Sequence, residues 1–140
     1  MRKAYPRERF STEVRLMPVD VAAFARAGGD HDPVHHDPAF AAGTRFGRLI
    51  ASGTQTSALL MGLTASHVSA QGPMVGLEFW FRFLRPVHAD GTVRIEWLVV
   101  KGTSHARLQG DVVDLRGRIR GQDGRTAVDA TGRVLVTDRL

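Results

Sequence analysis

The chain has 140 residues, 43% of them hydrophobic and 24% charged, which predicts one soluble globular domain and leaves no room for two. No stretch approaches the roughly 18 to 20 uninterrupted apolar residues of a membrane-spanning helix, and the absence of cysteine excludes a disulfide framework, a thiolate zinc site and a cysteine nucleophile. The net charge of +5 is spread over both halves of the chain, so it describes a mixed-charge surface rather than a nucleic-acid-binding arm.

The N-terminus, Met1 to Arg7, carries the positive charge of a signal peptide's start. Glu8, Arg9 and Glu13 stand where the apolar core should follow, so a cytoplasmic location is expected. From Arg9 to Leu16, Phe10, Thr12, Val14 and Leu16 alternate as one face of a strand. The period then changes: Val21, Phe24 and Ala25 predict a short helix over Pro18 to Ala27, stopped by Gly28-Gly29. Asp30 to His36 is a dense polar run with a proline inside it and reads as an ordered loop. Asp37 and Pro38 suit the cap and first position of a further helical turn.

From about Gly53 to Val68 the apolar residues Ala58, Leu59, Leu60, Met61, Leu63 and Ala65 cover most of a helical circumference. No Asp, Glu, Lys or Arg occurs between Arg48 and Glu78, so a buried helix with something wrapped around it is expected. The second half supplies the wrapping, because its periodicity switches to two. Val75 to Phe83 and Val93 to Val99 read as strands; a third is expected from about Ala106 to Ile119 with a phase break near Gly110, and a fourth over Val128 to Val136. The order predicts an α+β domain whose antiparallel sheet curls about the long helix.

Three of the six histidines fall within Asp30-His31-Asp32-Pro33-Val34-His35-His36-Asp37, together with three aspartates. Such residues serve as ordinary turn and capping groups. They also ligate metals, although the helical His-x-x-x-His spacing and a catalytic Glu motif are lacking. The chemistry fits a third reading better: Asp30 and His35, five positions apart across Pro33, can converge on one water as an acid/base pair. An electrophile would need a donor, and Gly53 offers one, since backbone N–H groups at a helix start stabilise developing negative charge.

The run Phe24 to Ala41 resembles the hydratase signature of the MaoC-like dehydratases and (R)-specific enoyl-CoA hydratases, a hotdog-fold family. The likeness continues through Phe46-Gly47-Arg48-Leu49-Ile50-Ala51-Ser52-Gly53 and Phe83-Leu84-Arg85-Pro86-Val87, covering roughly residues 18 to 100. It implies a single hotdog domain over residues 1–140. It also implies a catalytic dyad at Asp30 and His35, a backbone oxyanion donor at Gly53, and substrate-contacting positions at Asp32, Pro33, Ser52 and Thr54. Asp32 replaces the family's usual Asn, exchanging an amide donor for a carboxylate, and Ser52 stands where the family often has His.

The reaction implied is reversible hydration of a trans-2-enoyl thioester to an (R)-3-hydroxyacyl thioester, with no metal or other cofactor and with coenzyme A entering as part of the substrate. The implied partners are an acyl-CoA or related acyl-carrier thioester and a second copy of the chain, joined edge to edge at the sheets; neither nucleic acid nor membrane is expected. The resemblance also puts Ala58, Leu59 and Leu63 on one wall of an acyl tunnel. Two other readings stay open. A hotdog acyl-CoA thioesterase would carry a carboxylate on or near the long helix, and Gly53 to Val68 has none. A non-catalytic acyl-CoA-binding hotdog module would account for Asp32 and Ser52 as marks of lost catalysis.

Overall fold

The computed structural model describes residues 6–138 and 140; most of the basic start of the chain lies outside them. The elements run β1 (Arg9–Leu16), α1 (Pro18–Ala27), a 3-10 turn (Pro33–His35), α2 (Pro38–Ala42), α3 (Gly53–Ser69), β2 (Met74–Phe83), β3 (Gly91–His105), β4 (Gly110–Arg120) and β5 (Thr126–Thr137). The strands form one antiparallel sheet in the order β1-β3-β4-β5-β2, packed against α3. This is the expected hotdog arrangement.

Period-two alternation sets the packing. Val93, Ile95, Trp97 and Val99 of β3, Val113, Leu115 and Ile119 of β4, and Val128, Ala130, Val134 and Val136 of β5 are buried and share one core with Leu60 and Val68 of α3. Trp97 ties the layers together, its indole N–H donating to the Leu60 carbonyl at 2.9 Å. The same oxygen accepts from the Thr64 hydroxyl at 3.2 Å, so two buried polar groups are satisfied at one point of the helix.

Three local expectations are revised. The long helix is buried along one stripe, Thr56, Leu60, Thr64 and Val68, spaced four apart, while Met61, Gly62, Ala65 and Ser66 on the other side are exposed. A five-stranded sheet covers only one side of a helix, so its uncharged composition overstates its burial in one copy of the chain. β3 runs well beyond Val99, to His105, because an irregularity between Val99 and Lys101 resets the register and hides the continuation from a strict alternation. Ala106 to Leu108 belongs to the connecting turn rather than to the next strand: it is a single 3-10 turn that His105 caps through its ring nitrogen and that Gln109 closes at φ 56°.

Candidate active site

The residues of the Asp/His run are set in place by helix ends. At the C-terminus of α1, Gly29 turns left-handed at φ 78°, and the Asp30 N–H then donates back to the Ala25 carbonyl at 2.8 Å. Asp30 is thereby fixed as the residue that follows the turn. Asp32 accepts the Val34 N–H through its carboxylate at 3.1 Å, capping the 3-10 turn that Pro33 begins and in which His35 lies. An Asn side-chain oxygen could make the same bond, so the Asp at this position keeps the cap. Asp37 repeats the pattern for α2 by accepting from Phe40 N–H.

The turn brings His35 Nε2 to 3.1 Å from Asp30 Oδ2. The other ring nitrogen, Nδ1, lies 2.8 Å from the carbonyl oxygen of Ile50. A carbonyl can only accept, so Nδ1 carries a proton, and in the neutral ring Nε2 is then the lone pair. An imidazole nitrogen and a carboxylate oxygen this close can act together on one water, one accepting a proton while the other orients the water or returns a proton. Asp30 Oδ1 is steadied by the Asp32 N–H at 3.2 Å, and its carbonyl oxygen lies 2.9 Å from His36 Nε2.

Ile50 is held in turn by a short antiparallel crossing. Its N–H donates to the Val34 carbonyl, it bridges His88, and its neighbours bond across as Ala51 N–H to Val87 and Ala89 N–H to Leu49. Three segments distant in sequence, 30–36, 49–51 and 87–89, thus meet beside the buried His35 side chain. A cavity of about 440 Å3 opens beside it, lined by His35, Ile50, Gly53, Thr56, Phe83 and Val128 among others. Gly53 is the first residue of α3, where a backbone N–H has no intrahelical acceptor. A β-carbon built there would lie 3.1 Å from the Phe83 ring, so the glycine leaves the main chain open at the crowded end of the cavity.

The remaining sequence-predicted residues are arranged differently. Ser52 is fully buried and caps α3, its hydroxyl accepting from Gln55 N–H at 3.2 Å and lying 2.8 Å from Thr54 Oγ1. Neither Ser52 nor Thr54 lines this cavity, and Thr54 faces the end of α1, within reach of Gly28. Asp32 and Pro33 shape the loop and are exposed outside the cavity wall. The helix contributes Gly53 and Thr56 to the wall, whereas Leu59 and Leu63 pack into the core. His31 is exposed. The backbone acceptor on Ile50 was missed in the sequence because a carbonyl leaves no side-chain signal; Phe83 and Arg85 stood in the resembling segments but bore no distinct chemistry there. Among the described residues no group of three His, Asp or Glu side chains is disposed to hold a metal ion, and no helix is long and apolar enough to cross a membrane.

Comparison with known proteins matches residues 4–118 to the family model described as MaoC like domain. The chain is 32% identical over 123 residues to an (R)-specific enoyl-CoA hydratase of Aeromonas caviae, covering 87% of this chain and 86% of that protein. It is 36% identical over 84 residues to a 3-hydroxyacyl-thioester dehydratase Z of Mycobacterium tuberculosis, covering 58% and 56% of the two chains. The solved structure of the Aeromonas caviae (R)-hydratase involved in PHA biosynthesis superposes with a TM-score of 0.87 at 29% identity, covering 97% of this chain and 99% of that one.

Proposed function

The chain belongs to the MaoC-like domain family, and on that premise we propose that it is a hydro-lyase that adds water reversibly to a trans-2-enoyl thioester, probed most simply as the coenzyme A ester, to give an (R)-3-hydroxyacyl thioester. The observation that carries this reading is the Asp30–His35 contact at 3.1 Å, with His35 on the wall of the cavity into which the start of α3 opens.

The thioester carbonyl accepts the Gly53 N–H, which makes C3 of the enoyl group electrophilic and stabilises the enolate oxygen as it forms. Water joins the Asp30–His35 pair, loses a proton to it and bonds to C3. The pair then returns one proton to C2, so that it ends with the proton count it began with. Ile50 keeps Nδ1 protonated throughout, confining the exchange to Nε2 and the Asp30 carboxylate. Asp32, Pro33 and Ser52 act by holding these groups, Asp32 and Pro33 through the 3-10 turn and Ser52 through the helix cap.

The working unit is a homodimer. β2 is an edge strand with Val75, Leu77, Trp80 and Phe83 exposed, and an unpaired apolar edge favours pairing with a second copy. The test is the loss of enoyl-thioester ultraviolet absorbance when the purified protein meets crotonyl-CoA, with chiral analysis of the product. Turnover to the (R)-3-hydroxy ester is expected; absence of turnover with crotonyl-CoA and with longer enoyl-CoAs would overturn the reading.

A further inference from the structure

Asp30 is held at each of its polar atoms. Its N–H donates to the Ala25 carbonyl at 2.8 Å, Oδ1 accepts the Asp32 N–H at 3.2 Å, and Oδ2 faces His35 Nε2 at 3.1 Å. The remaining atom, the main-chain carbonyl oxygen, lies 2.9 Å from Nε2 of His36. Of these four contacts, the one to His36 alone ties the main chain of Asp30 to the turn that carries His35.

His36 is itself anchored on the side of that turn. Its N–H closes the 3-10 turn on the Pro33 carbonyl at 3.0 Å, and the Asp37 N–H donates to the same oxygen at 2.8 Å. From this fixed backbone the half-buried ring reaches back six residues to Asp30, and it meets the His35 ring edge to face, with centroids 6.4 Å apart. Rotation of the Asp30 backbone would swing its carbonyl away from His36. The same rotation would carry the Asp32 N–H away from Oδ1 and free the carboxylate to leave His35.

The two carbonyl acceptors also sort the protons. The Ile50 oxygen requires a proton on Nδ1 of His35, and the Asp30 oxygen requires one on Nε2 of His36, so the adjacent neutral rings are opposite tautomers. An imidazolium keeps both protons, so the bond from His36 does not depend on the charge of its ring.

We infer that His36 is a positioning residue for the proposed reaction: through the main-chain oxygen of Asp30 it holds the carboxylate within reach of His35 and of the water on which the two act. His36 lies outside the wall of the acyl cavity, so its effect passes through Asp30 rather than through substrate. The inference rests on the hydratase reading of the site, and its test includes a measurement that needs no substrate.

The experiment compares the full-length wild type with His36→Phe, which keeps a flat ring beside His35 and removes the donor, and with His36→Gln, which removes the ring and keeps an N–H at similar reach. Each is followed by crotonyl-CoA kinetics across pH, by melting temperature and by long-range proton–nitrogen NMR of the imidazoles. His36→Phe is expected to lower kcat by about tenfold or more at unchanged KM, up to the roughly hundredfold cost of a misplacement of about 1 Å. His36→Gln is expected to restore most of that loss with the pH profile of the wild type. The spectra are expected to show His36 as the Nε2–H tautomer, with the His35 nitrogen signals displaced in His36→Phe and not in His36→Gln. If His36→Phe does not fold, His36→Ala takes its place in the same comparison.

Wild-type kcat in His36→Phe, or a loss that His36→Gln does not restore, would overturn the inference. So would a His36→Gln profile lacking one limb, since His36 would then exchange a proton itself. A kcat that only tracks a fall in melting temperature, with the His35 signals unmoved, would reduce the bond to a support of the fold and overturn it as well. Failure of the hydratase reading would show differently, as His35 signals that depend on the His36 donor in a protein that consumes neither crotonyl-CoA nor longer enoyl-CoAs.

Discussion

Gly117 of β4 pairs directly with Trp97 of β3, and a β-carbon built on the glycine would fall 2.5 Å from the indole ring. The indole fills the space a side chain would take, and this position lets its N–H reach Leu60 of α3. Gly117→Ala must therefore displace a fully buried ring or bend a central strand. A loss of about 1–3 kcal/mol is expected, the usual cost of overpacking a core, read as a shift of the urea midpoint at unchanged slope. A midpoint equal to the wild type's would show that the sheet absorbs the methyl group.

Ser52 separates a structural role from a substrate contact. Its hydroxyl accepts the Gln55 N–H inside a fully buried residue, so Ser52→Ala should lower stability by about 1 kcal/mol and Ser52→Thr should restore most of it. If both variants unfold at the wild-type midpoint while the Michaelis constant alone moves, the side chain acts on substrate and not as a cap.

Asp30→Asn and His35→Ala should each cut the hydration rate by about a hundredfold to ten-thousandfold, the range for loss of a positioned acid or base. The double variant should fall little further, because the two groups lie 3.1 Å apart and would act on the same water. Crotonyl-CoA progress curves measure this, and circular dichroism confirms that the fold is kept. Two independent losses that multiply in the double variant would contradict joint action on one water.

Much of this was legible in the sequence because the signals are periodic or local. The alternation through Val93, Ile95, Trp97 and Val99 and the stop at Gly28-Gly29 specify elements without reference to the rest of the chain. The Asp30–His35 encounter was legible for the same reason, since a five-residue loop with a proline leaves the backbone few paths. The other partner of His35 was not: Ile50 enters through a carbonyl oxygen, and only the crossing of 49–51 with 87–89 brings it there. The long helix misled in one respect. Its lack of charge reports both the face turned to the sheet and the exposed face of Met61 and Ala65, and composition cannot tell a covered face from one left open in a single copy.

The exposed edge of β2 leads to a prediction about assembly. Leu77 and Trp80 are 43% and 64% exposed on β2, which pairs with β5 on one side and has no partner strand among the described residues on the other, an arrangement that suits pairing with a second copy. Light scattering should report a dimer. Replacing Leu77 with Lys should shift the population to monomer by placing a charge on that edge. A monomeric wild type would remove the edge-pairing proposal, and a dimer untouched by the substitution would move the interface elsewhere.

The arginine-rich outer face makes a pH prediction with a definite sign. The Glu96 side chain is 18% exposed, and burial pushes its pKa up, but the hydrogen bond from Arg118 and the charges of Arg118, Arg120 and Arg94 outweigh burial and hold it below the ordinary 4.5. A carboxyl group depressed in the folded state adds stability that is fully present above its unfolded pKa and is lost as pH falls through the folded value. Glu96→Gln should therefore cost at most about 1 kcal/mol at pH 7, since the arginines are partly exposed and screened, and the gap to wild type should close as pH falls from 4.5 toward 3. Urea midpoints of the two proteins across that range measure it. A gap that persists undiminished at pH 3 would mean that Glu96 contributes through packing of its methylene groups, and that the ring of arginines is carried by the fold without help from this carboxylate.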